Sequence, residues 1–279
     1  MEMSIKKAIV IFSSMLMMNS HDLIAAENVY SFGVLPVRSA VLTAEVWNPI
    51  LGYIATKTGK KLTLKTERTG DESKNKLIKG EYDFAYTNHI FEPTVQKSGY
   101  SVIARPDSIG ITSKIIVEQN SSIQTIEALN NLTVGFPSQA AFLGYIVPMK
   151  HLEQKYLHVD QFFGGNQEGV IAQLKSGQVK AAAVNGNVLD SYAKRVNFSY
   201  HTLWESENFK DFPISVHPRV PKEDVNVIYE AFINMSKDPQ GAKILEMSAI
   251  IAKELLSGFV SAQNSDYNNY KRYYANETN

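Results

Sequence analysis

No cysteine occurs in the 279 residues. Disulfides, thiolate metal sites, a cysteine nucleophile and a lipid-modified N-terminal cysteine are thereby excluded. Neither sign of charge is in excess: Lys plus Arg number 28, and so do Asp plus Glu. A net charge of zero gives no support to a polyanionic partner, and no nucleic acid is expected. Nowhere does an apolar run approach the ~20 residues that a helix needs to span a bilayer. With 44% hydrophobic and 20% charged residues, the composition is that of a globular protein able to bury a large core.

Catalytic signatures are missing as well. There is no Gly-x-Ser-x-Gly elbow, no His-Glu-x-x-His pair and no Gly-x-x-x-x-Gly-Lys phosphate loop. The six histidines (His21, His89, His151, His158, His201 and His217) have no metal-ligand spacing. Without a converging nucleophile, base and oxyanion donors, the expectation is a protein that is not an enzyme and needs no cofactor or metal.

What is present begins with the first residues. Lys6 and Lys7 precede a short apolar run over residues 8–18, and the small residues Ala25 and Ala26 come after it. This is the order of a secretory signal peptide, so residues 1–26 are read as one. The mature chain is expected to start near Glu27, in a periplasmic space.

Past that point strand and helix patterns alternate. Residues 29–35 read as a buried strand. Asn48 and Pro49 look like the N-cap and first position of a helix that Gly59 ends. Strands are expected at 62–64, 82–86, 100–104, 114–117, 132–136, 161–163 and 179–184, with helices at 71–79, 90–97, 123–129, 140–154 and 167–175. Beyond Pro221 the chain reads as mainly helical, and residues 264–279, rich in Asn and Tyr, as a loosely packed tail. The alternation predicts an α/β fold with mostly parallel sheets. Ligands in such sheets lie at the carboxyl ends of the strands. That selects five turns: residues 36–40, 87–89, 137–143, 164–168 and 185–187.

Several short motifs occur in a fixed order. Phe32-Gly33-Val34-Leu35-Pro36 precedes Trp47-Asn48-Pro49, and Lys79-Gly80-Glu81-Tyr82-Asp83-Phe84-Ala85-Tyr86 comes next. Gly144-Tyr145-Ile146-Val147-Pro148 is third, then Gly165-Asn166-Gln167-Glu168 and Ser176-Gly177-Gln178-Val179. In this set the chain resembles the PhnD-like family of phosphate/phosphonate periplasmic substrate-binding proteins of ABC importers. The resemblance implies a type II periplasmic binding protein: two Rossmann-like lobes joined by two hinge strands, closing on a ligand like a Venus flytrap. It places lobe 1 at 27–112, lobe 2 at 113–208, and a return to lobe 1 with C-terminal helices at 209–279. The implied partners are a small-molecule ligand, anionic or partly apolar, and the membrane permease of an ABC importer.

The same resemblance implies a changed pocket. Family members cradle the phosphonate with Ser-x-Ser-Gly hydroxyls and helix amides, but Ala141, Phe142 and Leu143 stand before Gly144 here. The family histidine falls on Gln167, which cannot carry charge. An expected acidic residue falls on Asn187, and the Asp of a Gly-Gln-Val-Asp stretch is Lys180. Ser138, a little upstream, is a candidate both as a plain helix N-cap and as a ligand contact. Tyr86 matches a ligand-contacting tyrosine, with Asn88 beside it, and Phe142 offers an aromatic face. Asn185 and Asn187 offer amides. Arg38 is the candidate for a fixed positive charge that grips a carboxylate, with a surface ion pair as its ordinary alternative. His89, a lone loop histidine, reads as structural. The expected function is capture of a small molecule in an interlobe cleft for an ABC importer. Ligand sensing for a membrane receptor is the alternative, because both roles use ligand-driven closure.

Overall fold

A computed structural model of the chain describes residues 29–253 and 256–274. The signal peptide expected at residues 1–26 lies outside them. In chain order the elements are β1 (Val29–Val34), α1 (Ala40–Thr58), β2 (Lys61–Lys65), α2 (Gly70–Ile78), β3 (Phe84–Tyr86), α3 (Pro93–Gln96) and β4 (Ser101–Pro106). Next come β5 (Ser113–Glu118), β6 (Thr133–Phe136), a π-helical turn (Phe142–Ile146), α4 (Val147–Gln154), β7 (Asp160–Phe163), α5 (Gln167–Lys175), β8 (Ala181–Asn185), α6 (Gly186–Val196) and β9 (Tyr200–Glu205). The chain closes with β10 (Ile214–Val216), α7 (Lys222–Ile233), α8 (Pro239–Ala252), β11 (Phe259–Ser261) and α9 (Asn268–Tyr274).

Two sheets result. The first has the order β11-β4-β10-β3-β1-β2, the second β7-β6-β8-β5-β9. β1 runs parallel to β2 and β3, and β6 runs parallel to β7 and β8. The expectation of mostly parallel sheets is corrected at the other strands. β10 is antiparallel to β3 and β4, β11 to β4, and β5 to both β8 and β9. Those strands carry the chain between the sheets or back into them, so they enter from the opposite direction. β10, inside residues 213–221, is not expected as a strand from the sequence, and β11 adds a strand to the C-terminal part read as mainly helical. Each is three residues long, too short to show an alternating pattern.

α1 begins nine residues before the position its sequence suggests. Ser39 is the N-cap, with its hydroxyl accepting from the Leu42 N–H, and Pro49 lies inside the helix. Pro49 is exposed, on the face away from the core, where water can solvate the carbonyl that loses its partner. Trp47, Ile50, Leu51 and Ile54 do share the buried face, and Gly59 ends the helix at φ 67°. The predicted helix at 123–129 is a single 3-10 turn, Glu127–Leu129. Its apolar residues are spent on the second core: Ile126 and Leu129 are buried against Ile115, Val134 and Leu152, with Ile123 packed beside them.

The core of the first sheet packs Phe32, Trp47, Ile50, Phe84, Ile228 and Phe232 between sheet and helices. A further apolar cluster runs across both sheets' territory, joining Tyr82, Val95 and Tyr100 to Leu143, Val147, Val188, Phe209 and Tyr270. The C-terminal segment belongs to it. Tyr267, Tyr270 and Tyr274 are buried, which corrects the reading of a loose tail for the residues described there. Asparagine-rich sequence hid three aromatics at positions 267, 270 and 274, the spacing of one helical face.

The chain crosses from the first sheet to the second between Pro106 and Ser113, and returns between Glu205 and Ile214. The two crossings touch at Ile111 and Phe209, whose N–H groups each donate to the other's carbonyl at 2.8 Å. Gly110 beside them has φ 108°, and a Cβ there would lie 2.4 Å from the Phe209 carbonyl. Only glycine fits where the strands come this close. Among the described residues no helix is long and apolar enough to cross a membrane.

Candidate functional site

The turns at the carboxyl ends of the parallel strands face one another across the gap between the sheets. From the first sheet come Leu35, Pro36 and Val37 after β1, and Asn88 and His89 after β3. Gly70 opens α2, and Phe212 lies on the returning crossing. From the second come Pro137, Ser138, Ala141, Phe142 and Leu143 after β6, then Gly165, Asn166 and Gln167 after β7. Main-chain bonds hold these turns. The Leu35 N–H donates to the Tyr86 carbonyl at 3.1 Å, Thr87 N–H to Pro213 at 3.2 Å, and Gly164 N–H to Phe136 at 2.9 Å.

The cavity they enclose has a volume of ≈ 20 Å³, enough for one water. Little space is therefore left between the facing turns. Ser138 from one side meets Gly70 from the other, so closely that a Cβ on Gly70 would be 3.1 Å from the Ser138 Oγ. No Lys, Arg, Asp or Glu lines the cavity among the described residues. Nor do the described residues contain a cluster of His, Asp and Glu able to hold a metal ion.

Of the eight residues singled out from the sequence, four line the cavity: Asn88, Ser138, Phe142 and Gln167. Ser138 does not cap a helix through its side chain; its carbonyl accepts from the Ala141 N–H at 3.1 Å. The chain then enters a π turn, in which Ala141 accepts from Ile146 five residues on. That turn brings Phe142 against α9, edge-on to Phe209 and stacked on Tyr270. Its ring is thus largely committed to protein, with 2% of the residue exposed. Gln167 is buried, and its Oε1 accepts from the Asn185 N–H at 2.9 Å. A Cβ on Gly144 would come within 2.8 Å of the Gln167 Nε2, so the glycine admits that amide.

The other four stand behind the wall. Asn185 caps α6, its Oδ1 accepting from the Asn187 and Val188 N–H groups. Asn187 donates from Nδ2 to the Gly110 carbonyl at 3.4 Å, tying α6 to the crossing. Tyr86 packs between Trp47 and Phe212 and donates its hydroxyl to Asp211 Oδ1 at 3.1 Å. Arg38 is half-buried, and its charge acts on the same Asp211. A carboxylate within the protein thus stands near Arg38.

Two residues in or behind the wall were not singled out from the sequence. Asp211 is buried, and burial raises its carboxyl pKa, against the Phe212 N–H, the Ser108 and Tyr86 hydroxyls and the Arg38 charge, which lower it. Its one sequence signal is a lone acid inside the apolar return, Phe209 to Pro213. His89, read as structural, lines the cavity and is 1% exposed. Burial, helped by the Lys74 charge, pushes its pKa down to about 4, while Asp71 and a backbone hydrogen bond at Ala140 act weakly the other way. Its Nδ1 and the Oδ1 of Asn88 have no hydrogen-bond partner among the described residues.

With this geometry, the chain superposes on solved binding proteins. A binding-protein component of an ABC phosphonate transporter from Pseudomonas aeruginosa matches with TM-score 0.74 and 17% identity, over 86% of this chain and 83% of that one. PhnD1 from Prochlorococcus marinus, solved in complex with methylphosphonate, gives 0.72 and 17% over 88% and 97%. A Xanthomonas citri protein, solved bound to ATP, gives 0.68 and 12% over 89% and 96%. At these identities the likeness is one of fold, that of a type II periplasmic binding protein. No curated protein matches the sequence. The family model for the periplasmic substrate-binding protein of phosphonate ABC transporters, however, matches residues 32–267. The chain belongs to that family of periplasmic, ABC-transporter substrate-binding proteins.

Proposed function

We propose that the mature protein, cut near Glu27, captures a small uncharged solute between its lobes and delivers it to the permease of an ABC importer. Residues 27–112 and 209–279 form one lobe and residues 113–208 the other, turning about Ile111 and Phe209. The observation that supports this reading is the composition of the cavity wall: it lies at the strand ends, where the resemblance implies the ligand, and holds no ionised side chain. An oxyanion taken from water into such a wall would exchange its hydration for the N–H groups of helix N-termini, with neither a cation nor the family hydroxyls beside them. The family hydroxyls are replaced by Ala141, Phe142 and Leu143, and Gln167 is engaged by Asn185. Both changes move recognition away from phosphonate.

Thermal melting of the mature protein with phosphonates, phosphate, carboxylates and neutral solutes tests the reading. A ligand at a hundred times its Kd adds about 2.7 kcal/mol to stability, which raises Tm by several degrees. The expected result is the largest rise with a neutral solute. A larger rise with methylphosphonate contradicts it. N-terminal sequencing of secreted protein should find a start near residue 27.

A further inference from the structure

The cavity has a polarity as well as a lack of charge. Two lining residues from the first lobe, Asn88 and His89, are each 1% exposed, and their Oδ1 and Nδ1 atoms are buried. Neither atom has a partner among the described residues. Burial pushes the His89 pKa down, so the ring is neutral near neutral pH. A neutral imidazole has one N–H and one lone pair, and in the tautomer with its proton on Nε2 the unpartnered Nδ1 is an acceptor. Two adjacent residues that line the cavity thus carry buried, unpaired acceptors. Buried acceptors left unpaired are costly, and native structures rarely keep them so.

We infer that Asn88 Oδ1 and His89 Nδ1 accept hydrogen bonds from the captured solute, and that the solute is an uncharged molecule presenting N–H or O–H donors, such as an amide, a urea or an alcohol. This rests on the solute-binding reading and adds the chemistry of the ligand. An oxyanion brings only lone pairs to face these two. A cation finds no carboxylate in the wall. An uncharged donor satisfies both atoms, while Ser138, opposite, can donate or accept at its other end.

Three probes of matched size separate the cases: acetamide, which has donors, acetone, which only accepts, and acetate, an oxyanion. Each is titrated to high millimolar concentration against the mature protein, with Tm and calorimetric binding as readouts. Acetamide is expected to bind about tenfold or more tightly than the other two, the difference of a buried hydrogen bond. Asn88→Leu and His89→Phe should each remove that preference. Because either variant can fail to fold, the wild-type His89 Nδ1 is also followed by 15N NMR. Its resonance should move on adding acetamide and stay fixed with acetone. Equal or tighter binding of acetone or acetate, no binding of acetamide, or an unmoved Nδ1 would each overturn the inference. If a periplasmic small-molecule extract raises Tm while acetamide does not, the clamp stands and the donor rule falls. If neither acts, both fall.

Discussion

The Phe142 ring lies on the Tyr270 ring with centroids 4.2 Å apart and planes 20° from parallel. Phe142 comes from the turn after β6 and Tyr270 from α9, so this stack fastens the C-terminal segment to the second lobe at the edge of the cleft. Phe209, on the returning crossing, meets both rings edge-on. Phe142→Ala should cost about 3–5 kcal/mol, the usual range for an aromatic removed from a core. Tyr270→Phe keeps the stack and loses only the hydroxyl bond to the Lys210 carbonyl, worth about 1 kcal/mol. Urea unfolding of both variants measures the two costs, and the reverse order would contradict the packing.

Tyr86 and Asp211 lead to a second prediction. The carboxyl lies above its ordinary pKa because it is buried, and the Tyr86 hydroxyl is one of the donors that pull it back down. Tyr86→Phe should therefore raise it further and cost about 2 kcal/mol at neutral pH, as for a hydrogen bond to a charged group. A raised carboxyl pKa contributes stability that is present below the unfolded value and lost as pH rises through the folded one. The deficit of the variant should consequently grow from acid to neutral pH. A deficit that stays constant would mean that Asp211 does not titrate as described.

His89 has the opposite consequence. Its folded pKa of about 4 lies below the ~6.5 of an unfolded histidine. Between those values the unfolded chain binds the proton and the folded one does not, so stability falls as pH falls through this window. The full loss is up to about 3 kcal/mol. His89→Phe should flatten the curve between pH ~6.5 and ~4 relative to wild type. Parallel curves would show that His89 is not buried in the neutral form.

Gln167, where the resemblance implies a histidine, serves the protein backbone. Gln167→Leu would leave the buried Asn185 N–H without its acceptor, at a cost of about 1–3 kcal/mol. Amide exchange at Asn185 should quicken. An unchanged exchange rate would mean that water or a neighbour replaces the glutamine.

Sequence reasoning reached the strand ends well because local chemistry marks them. Helix α5 covers Gln167–Lys175, the range expected from the sequence. Of the five turns selected after predicted strands, four line the cavity. It failed where the deciding partner is distant in the chain. Nothing near Phe142 announces Tyr270, and nothing near Tyr86 announces Asp211. Pro49 misled because its helix is exposed on that face, which a pattern of apolar spacing does not weigh against proline. His89 was hidden for another reason: whether a histidine is satisfied depends on three-dimensional neighbours, not on residue type.

The most direct test of an uncharged, donor-reading cleft is to identify what the protein carries. Protein released gently from the periplasm of its own cells, without dialysis, is denatured, and the freed small molecules are analysed by mass spectrometry. The account predicts a stoichiometric, uncharged compound bearing N–H or O–H groups, absent from preparations of the His89→Phe variant. A stoichiometric phosphonate or other oxyanion would contradict it.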